Sequence, residues 1–426
     1  MRHIRGLVAA GAAIALLGAC APGGGSSGGQ ADQSGDKKLT YLYFTDGPDE
    51  QATKGLIAEY EKKTGVKVDL QTVPYDSLEQ KLQARLSGDN APDVARLSGI
   101  DPFRDDLLDL TKFQKKALDG QFLDGAKSYV SGGDGGMVAV PSDLTMNGPL
   151  INVDQFKKAG VALPDEKKPW TWDQMVAAAE KVKKANHTQY SIAMDVSGHR
   201  FATMLSEYGV NYFTGDGKGV DFDAAKTTAA VKRFAALNAS NAMPKDLWLQ
   251  AGTKYKGANE IFLAKQVPIY ISGNWQVSEF AKSAKFDWAA APNPCQARCG
   301  GYPGGKFMVS FKESHHQKLA AGFIAFMNSR HAQETLAKQA NFMPTRKDLL
   351  DSGVQYPSRA ADMKVFFDEV DRTPTDTYAS AYSPAFAASA DAVVAELAKV
   401  LAHKETPAQA TAAIRAAAQK ALKDAQ

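Results

Sequence analysis

The sequence predicts an α/β protein organised in two domains, and three observations carry that prediction. From Leu39 onward, short β-rich runs alternate with runs of helical period. That order needs right-handed crossovers, hence a mainly parallel sheet with helices on both faces. The foldable stretch, roughly 390 of the chain's 426 residues, exceeds what one hydrophobic core usually supports, so two domains are expected. Finally, no apolar segment of spanning length follows the N-terminal one, and no repeat of solenoid period is visible.

Ahead of that body, Arg2 and Arg5 give a positive start, and residues 7–17 form an apolar run too short to span a bilayer. This is the pattern of a signal peptide. The residues Leu17, Gly18, Ala19 and Cys20 resemble the lipobox of bacterial lipoproteins, in which the cysteine is lipidated and becomes residue one. The resemblance implies removal of residues 1–19 and attachment to the membrane through a lipid on Cys20. The alternative is a plain secretory signal with an incidental cysteine. One acyl chain binds only marginally, whereas a diacylglyceryl group plus an amide-linked chain anchors lastingly. Residues 20–38, rich in glycine and serine, cannot bury apolar area and are read as a flexible tether.

The body then runs in order. "LTYLYF" is a first strand, and "QATKGLIAEYEKKTG" a helix with Leu56, Ile57 and Tyr60 on one face and Gly65 as its stop. "VKVDLQTV" alternates as a second strand. After Pro74, "DSLEQKLQARLSG" places Leu78, Leu82 and Leu86 on one face and ends at Gly88, and "APDVARL" is a third strand. In "TWDQ", Thr171 and Gln174 form a capping box, with Trp170 and Trp172 stapling the helix start. Asp216, Asp221 and Asp223 do not match an EF-hand interval, and Asp223 reads as a helix cap. "QYSIAMDV", "VPIYISG" and "FDWAAAP" supply further strands, and residues 263–271 read as a buried strand after a helix. Everything after Asp362 reads as helix.

Charge and cysteine usage narrow the function. The chain carries 50 basic and 47 acidic residues, and loss of Arg2 and Arg5 with the signal leaves it close to neutral. Such a balance offers no field for a phosphate backbone, so no nucleic-acid partner is expected. Cys295 and Cys299 in "PNPCQARC" read as a local disulfide in an exported setting, with Pro292 and Pro294 keeping the segment out of a helix. No other Cys or His completes a metal set at usable spacing, and no cofactor is expected. "GGSSG" imitates an esterase elbow but lies in the tether, and "GGYPGGKF" imitates a phosphate loop but has Phe307 after Lys306. His315 and His316 lack metalloprotease spacing and read as solvated residues at the foot of a helix. Nothing in the sequence points to a catalyst.

Five segments, "YEKKTGVKVDLQTVPYDSLEQKLQARLSGDNAPDV", "AVPSDLTMNGPLINVDQFKKAGVALP", "PWTWDQMVAAAEKV", "FLAKQVPIYISGNW" and "AAGFIAFMNS", together resemble the family 1 extracellular solute-binding proteins. These are the maltose-binding-like receptors of ABC importers. The resemblance runs from about Leu39 to the C-terminus. It implies a type II periplasmic-binding-protein fold: two lobes, each a mainly parallel sheet flanked by helices, joined by hinge strands around a ligand cleft. The lobes are expected at 39–145 with 305–346 and at 147–303 with 350–426. A monomer is implied, partnered by importer permease subunits and a carbohydrate ligand and closing on it about the hinge.

In open α/β sheets ligands bind beyond the carboxyl ends of strands, which selects the candidates. Asp46 and Glu50 follow the first strand, Glu50 also fitting a helix N-terminal acid. Ser98 and Asp101 follow the third, whereas Asp93 reads as structural. Asn147 lies near the expected hinge, where maltose-binding relatives carry an acid. His199 and Arg200 follow "IAMDV", where relatives place acidic and aromatic contacts. Arg200 could donate to sugar hydroxyls or pair with an acid. Trp275 ends "VPIYISGNW" at a strand-to-helix turn, where the family places a stacking platform; the competing reading packs it inside its own lobe. Tyr302 and Tyr382 are expected to complete an aromatic wall, with Gly304 and Gly305 admitting the ligand to the backbone.

Two rivals stand beside the sugar receptor. A lipid-anchored glycoside hydrolase needs two carboxylates flanking one bond, for which Asp46 and Asp101 are the available pair. A receptor of the same fold for a polyamine would need several cleft acids, and one for an anion would need basic groups or helix N-termini.

Overall fold

The computed structural model describes residues 37–425 other than 46, 48 and 253. The signal peptide, Cys20, nearly all of the tether, and Asp46 lie outside the described residues. Among the described residues eight strands are formed: β1 (Lys38–Tyr43), β2 (Lys67–Thr72), β3 (Val94–Leu97), β4 (Val140–Asn152), β5 (Ile192–Met194), β6 (Ile269–Gly273), β7 (Trp288–Ala290) and β8 (Pro303–Val309). Their spatial order is β2-β1-β3-β8-β4-β6-β5, with β7 also on β4.

The expected β-α-β-α-β opening is present, with helices Glu50–Thr64 and Tyr75–Leu86 between the first three strands. Gly65 closes the first of these with φ of 73° and its N–H on the Glu61 carbonyl, a conformation that glycine adopts without a Cβ penalty. Side chains along β1 alternate between two cores: Leu39, Tyr41 and Tyr43 face one, Leu42 and Phe44 the other. The second half behaves alike, with Ile269 and Ile271 on one side of β6 and Tyr270 on the other. The central strands of each half are therefore buried on both faces, which is why they read as apolar runs, whereas the edge strand β2 keeps Lys67, Asp69 and Thr72 exposed.

The sheet is mixed rather than mainly parallel. β1 runs parallel to β2 and β3, and β5 parallel to β6, but every pairing made by β4 or β8 is antiparallel. These two strands carry the chain between halves, so they run against their neighbours. β4 is 13 residues long and serves both halves. Residues from Val140 to Met146 pair with β8, and those from Asn147 to Ile151 with β6. Pro141 sits at the register shift between Pro141 and Asp143, where a missing N–H is tolerated.

The helix Trp172–Asn186 begins with the full capping box, Thr171 and Gln174 exchanging side-chain and backbone bonds. Trp172 is buried, its indole N–H donating to the Glu207 carboxyl group. Burial pushes the Glu207 pKa well above the usual carboxylate range. Cys295 and Cys299 are joined by a disulfide. His315 is exposed, whereas His316 is largely enclosed at the start of helix Gln317–Met327. The His316 Nδ1 lies 3.2 Å from an Asp93 oxygen that Ser314 also contacts at 2.7 Å. The enclosure by Asp93 and Ser314 explains why His316 is not the solvated residue expected. Among the described residues no helix is long and apolar enough to cross a membrane, and no cluster of three or more His, Cys, Asp or Glu could hold a metal.

Candidate ligand-binding site

The carboxyl ends of β5 and β6 meet where β4 passes between the halves. Asp195, immediately after β5, accepts from the Tyr270 hydroxyl at 2.6 Å, the Ser272 hydroxyl at 2.7 Å and Arg200 Nε at 3.3 Å. Arg200 in turn lays its guanidinium over the Trp275 ring, 4.1 Å from the centroid, a cation–π contact. Trp275 opens helix Trp275–Ser283 and remains partly exposed. A Cβ on Gly273 would come within 2.0 Å of the indole, so only glycine lets the ring lie against the end of β6.

Helix Gly198–Glu207 carries Arg200 and is fixed at both ends. At its start Ser197 accepts from the His199 N–H, and Asn147 Nδ2 donates to the His199 carbonyl and to Thr203 Oγ1, each at 2.8 Å. At its end the disulfide loop donates the Ala297 and Arg298 N–H groups to the Glu207 carbonyl at 2.8 and 3.1 Å. Arg298 then reaches Asp376 at 3.1 Å and Asn211 at 2.8 Å.

His199 joins this helix to β8, its Nε2 lying 2.9 Å from the Pro303 carbonyl and its Nδ1 2.6 Å from Arg200. Arginine only donates, so Nδ1 is the acceptor and Nε2 carries the proton. Burial first, and then the Arg200 charge, hold the His199 pKa down at about 3. The imidazole is therefore neutral at ordinary pH.

Across the cleft, the carboxyl ends of the first half present Tyr75 and Ser98. Tyr75 is 55% exposed, its hydroxyl 3.2 Å from Ser98 Oγ and its ring 5.1 Å from that of Phe44. Behind them Arg96 donates to the Phe44 carbonyl at 2.9 Å and to Asp143 at 2.8 Å. The two halves approach closely: a Cβ on Gly47 would lie 3.6 Å from Glu279 of helix Trp275–Ser283.

The model of the bacterial extracellular solute-binding protein family matches residues 45–334. The chain belongs to that family. An arabinooligosaccharide-binding protein of Bacillus subtilis is 28% identical over 338 residues, spanning 75% of this chain and 76% of the relative. The GacH receptor of Streptomyces glaucescens, solved unliganded and with acarbose, superposes with a TM-score of 0.76 at 21% identity, covering 91% of this chain and 98% of the receptor. Maltose-bound MalE3 of T. maritima gives 0.75 at 19% identity, covering 90% and 99%. The fold is thus the two-lobe fold of maltose-binding-type receptors, with a cleft between the lobes.

Within this solute-binding protein the expected site residues divide into two groups. Trp275, Arg200 and Ser98 lie beyond the carboxyl ends of β6, β5 and β3 and keep partly or fully exposed side chains. Asn147 is fully buried with its amide consumed: Nδ2 makes the two bonds above and Oδ1 accepts from Arg200. Its backbone is occupied as well, by Asn293 and by the Tyr302 carbonyl. Tyr302 is buried, its hydroxyl on Ser380 and its ring stacked on Phe386. Tyr382 packs against Tyr129 and Phe307 in the first lobe's core and donates to the Gly304 carbonyl at 3.3 Å. The space a side chain at Gly304 would need is taken by Thr145 and His199, and that at Gly305 by the Asp143 carbonyl. Interior packing therefore accounts for the tyrosines and glycines of the expected aromatic wall. Glu50 pairs with Lys54 at 2.6 Å. Asp101 accepts from Tyr129 at 2.7 Å and from Arg104 at 3.2 Å, and burial raises its pKa.

Sequence reasoning passed over Asp195, Tyr270, Ser272 and Tyr75. Asp195 and Tyr75 stand just beyond strands, so the strand-end rule already selects them. A separate cavity of about 320 Å³ in the first lobe, lined in part by Phe122, Lys127, Met137 and Lys347, contains none of the site residues. Two of its four aspartates are engaged by neighbours, Asp109 by Thr111 and Asp124 by Lys347.

The neutral His199 makes stability pH-dependent. Its folded pKa of about 3 lies below the ordinary 6.5, so below pH 6.5 the unfolded chain takes up a proton that the folded one does not. Acidification from there toward pH 3 favours unfolding. His199→Gln removes the titration while keeping a donor for Pro303. Calorimetry is expected to show the parent's thermal midpoint falling more steeply than the variant's between pH 7 and 4.5; parallel slopes would contradict a buried neutral imidazole.

Proposed function

We propose that the chain is the substrate-capturing component of an ABC importer, taking a neutral oligosaccharide at the Trp275 end of β6 and passing it to the permease. Trp275 carries this reading: a partly exposed indole at the carboxyl end of a strand, backed by a cation that is itself neutralised by Asp195. A sugar ring has an apolar C–H face for an indole and outward hydroxyls for amides and carboxylates. The curated relative's name, an arabinooligosaccharide-binding protein, supports the same ligand class.

The rival ligands fit less well. A polyamine needs uncommitted acids, but Asp195 and Asp101 each accept from protein donors. For an anion, the available cation is Arg200, which is already paired with Asp195. Hydrolysis would need Asp101 as one of two working carboxylates, and its bonds to Tyr129 and Arg104 hold it as a structural group. We place the lobe boundary where β4 changes partner between Met146 and Asn147. The hinge there serves a monomer that closes on its ligand, held to the outer face of the membrane through Cys20.

Thermal-shift screening of mono- and oligosaccharides identifies the ligand, since a sugar at a hundred times its Kd adds about 2.7 kcal/mol of stability. Trp275→Ala is expected to forfeit about 1 to 3 kcal/mol, or about ten- to a hundredfold in affinity by calorimetry, while Trp275→Phe keeps much of it and the sugar is recovered uncleaved. Unchanged affinity with a lower melting point in Trp275→Ala would make Trp275 a core residue. For the anchor, Cys20→Ser is expected to abolish incorporation of a fatty-acid probe; a labelled variant would sink that part.

A further inference from the structure

The connection between β7 and β8 carries the Cys295–Cys299 disulfide. Gln296, Ala297 and Arg298 are all that lies between the two cysteines. Both cysteines are partly exposed, and Gln296 and Ala297 are exposed. The loop nevertheless makes fixed contacts on three sides. The Cys295 N–H donates to the Trp170 carbonyl at 2.8 Å, beside the start of helix Trp172–Asn186. Arg298 Nε donates to the Ser206 carbonyl at 2.5 Å, next to the Glu207 carbonyl that the Ala297 and Arg298 N–H groups already occupy. The Gly301 N–H donates to Thr373 Oγ1 at 3.0 Å, and two residues later the chain enters β8.

The end of a helix leaves carbonyls without intrahelical partners, and a cation placed there meets the negative end of the dipole. Arg298 answers both needs at the end of helix Gly198–Glu207. With Gln296 and Ala297 facing solvent, no buried apolar side chain between the cysteines holds the Arg298 backbone in place, and ring closure takes that part. In the chain-entropy account a disulfide stabilises a whole fold in proportion to the logarithm of the loop it closes. This one closes three residues, so its effect falls mainly on the loop itself. The helix it caps has ten residues, with Arg200 in the first turn. Helix formation is cooperative over that length, so loosening of the last turn reaches the first.

We propose that the Cys295–Cys299 disulfide is a redox-sensitive positioning element for the ligand site, acting through Arg298 on the helix that carries His199 and Arg200. With the bond formed, Arg298 holds the end of the helix and affinity is high. Reduction by a dithiol opens the ring: one thiolate of the dithiol attacks a ring sulfur to give a mixed disulfide, and its second thiol displaces that sulfur. Two electrons and two protons pass to Cys295 and Cys299, which become thiols, and the dithiol leaves as its own disulfide. Arg298 is then no longer held, and affinity falls. The inference rests on the carbohydrate reading above and adds a control on it from outside the cleft.

The test uses the full chain carrying Cys20→Ser, so that Cys295 and Cys299 are its only cysteines, with arabinotriose and maltotriose as probes in calorimetry. For a probe the parent binds, dithiothreitol is expected to weaken binding roughly three- to tenfold, and reoxidation to restore it. Arg298→Met is expected to lose about as much with the disulfide intact and no more on reduction, because the two act as one unit, while Arg298→Lys recovers part. Affinity unchanged by reduction in a folded parent, with only the melting point lowered, would overturn the proposal and leave the carbohydrate reading standing. A further loss in Arg298→Met on reduction as large as the parent's would overturn the role of Arg298. A parent that binds neither probe counts against the carbohydrate reading, and the proposal is then decided without sugar. Amide hydrogen exchange over residues 201–208 of the ligand-free chain is expected to quicken on reduction; unchanged exchange there overturns it whichever sugars bind.

Discussion

The buried amide of Asn147, at the point where β4 passes from one lobe to the other, is the contact on which the site depends. A fully buried amide costs stability unless each donor and acceptor finds a partner, and here the partners are the residues that build the cleft. Its Nδ2 fixes the start of helix Gly198–Glu207 and its Oδ1 receives Arg200. Its backbone N–H is taken by the Tyr302 carbonyl that precedes β8. One residue thus ties both crossing strands to the helix that aims the guanidinium at Trp275.

From that point the chemistry of the cleft follows. Arg200 is spread between Asp195, Asn147, His199 and the Trp275 ring, and Asp195 accepts from three donors. The proton on His199 is confined to Nε2 by its neighbours, so the imidazole adds no charge. The result is a polar floor without net charge from these groups beside an apolar ring. That combination suits a solute rich in hydroxyls with apolar C–H faces. The disulfide loop holds the far end of the same helix through Glu207 and Arg298, so His199 and Arg200 ride on an element fixed at both termini.

Much of the fold was legible because its periodicities are local. The first three strands and their helices announce themselves by alternation, by leucines at helical spacing and by stops such as Gly65. β4 announces itself poorly: Pro141 and Pro149 interrupt it, and Asp143, Thr145 and Asn147 are polar yet buried. Their burial is permitted only by distant partners such as Arg96 and Thr203, which no local pattern reveals. The same limit governs the site. Trp275 could be placed by its strand-to-helix turn, but whether Tyr302 faces ligand or core is decided by Ser380 and Phe386, about eighty residues away. Tyr75 was passed over because an aromatic opening a helix looks like a staple until its exposure is known.

The central claim is that ligand is captured where the carboxyl ends of β3, β5 and β6 converge on the crossing strand. Amide hydrogen exchange with and without a bound oligosaccharide tests it most directly, because protection reports local opening along the whole chain. Protection is expected to concentrate at residues 97–99, 195–201 and 272–277, with slower exchange along β4 around Asn147. Protection confined instead to the first-lobe cavity near Phe122, Met137 and Lys347, with the Trp275 turn unchanged, would contradict the account.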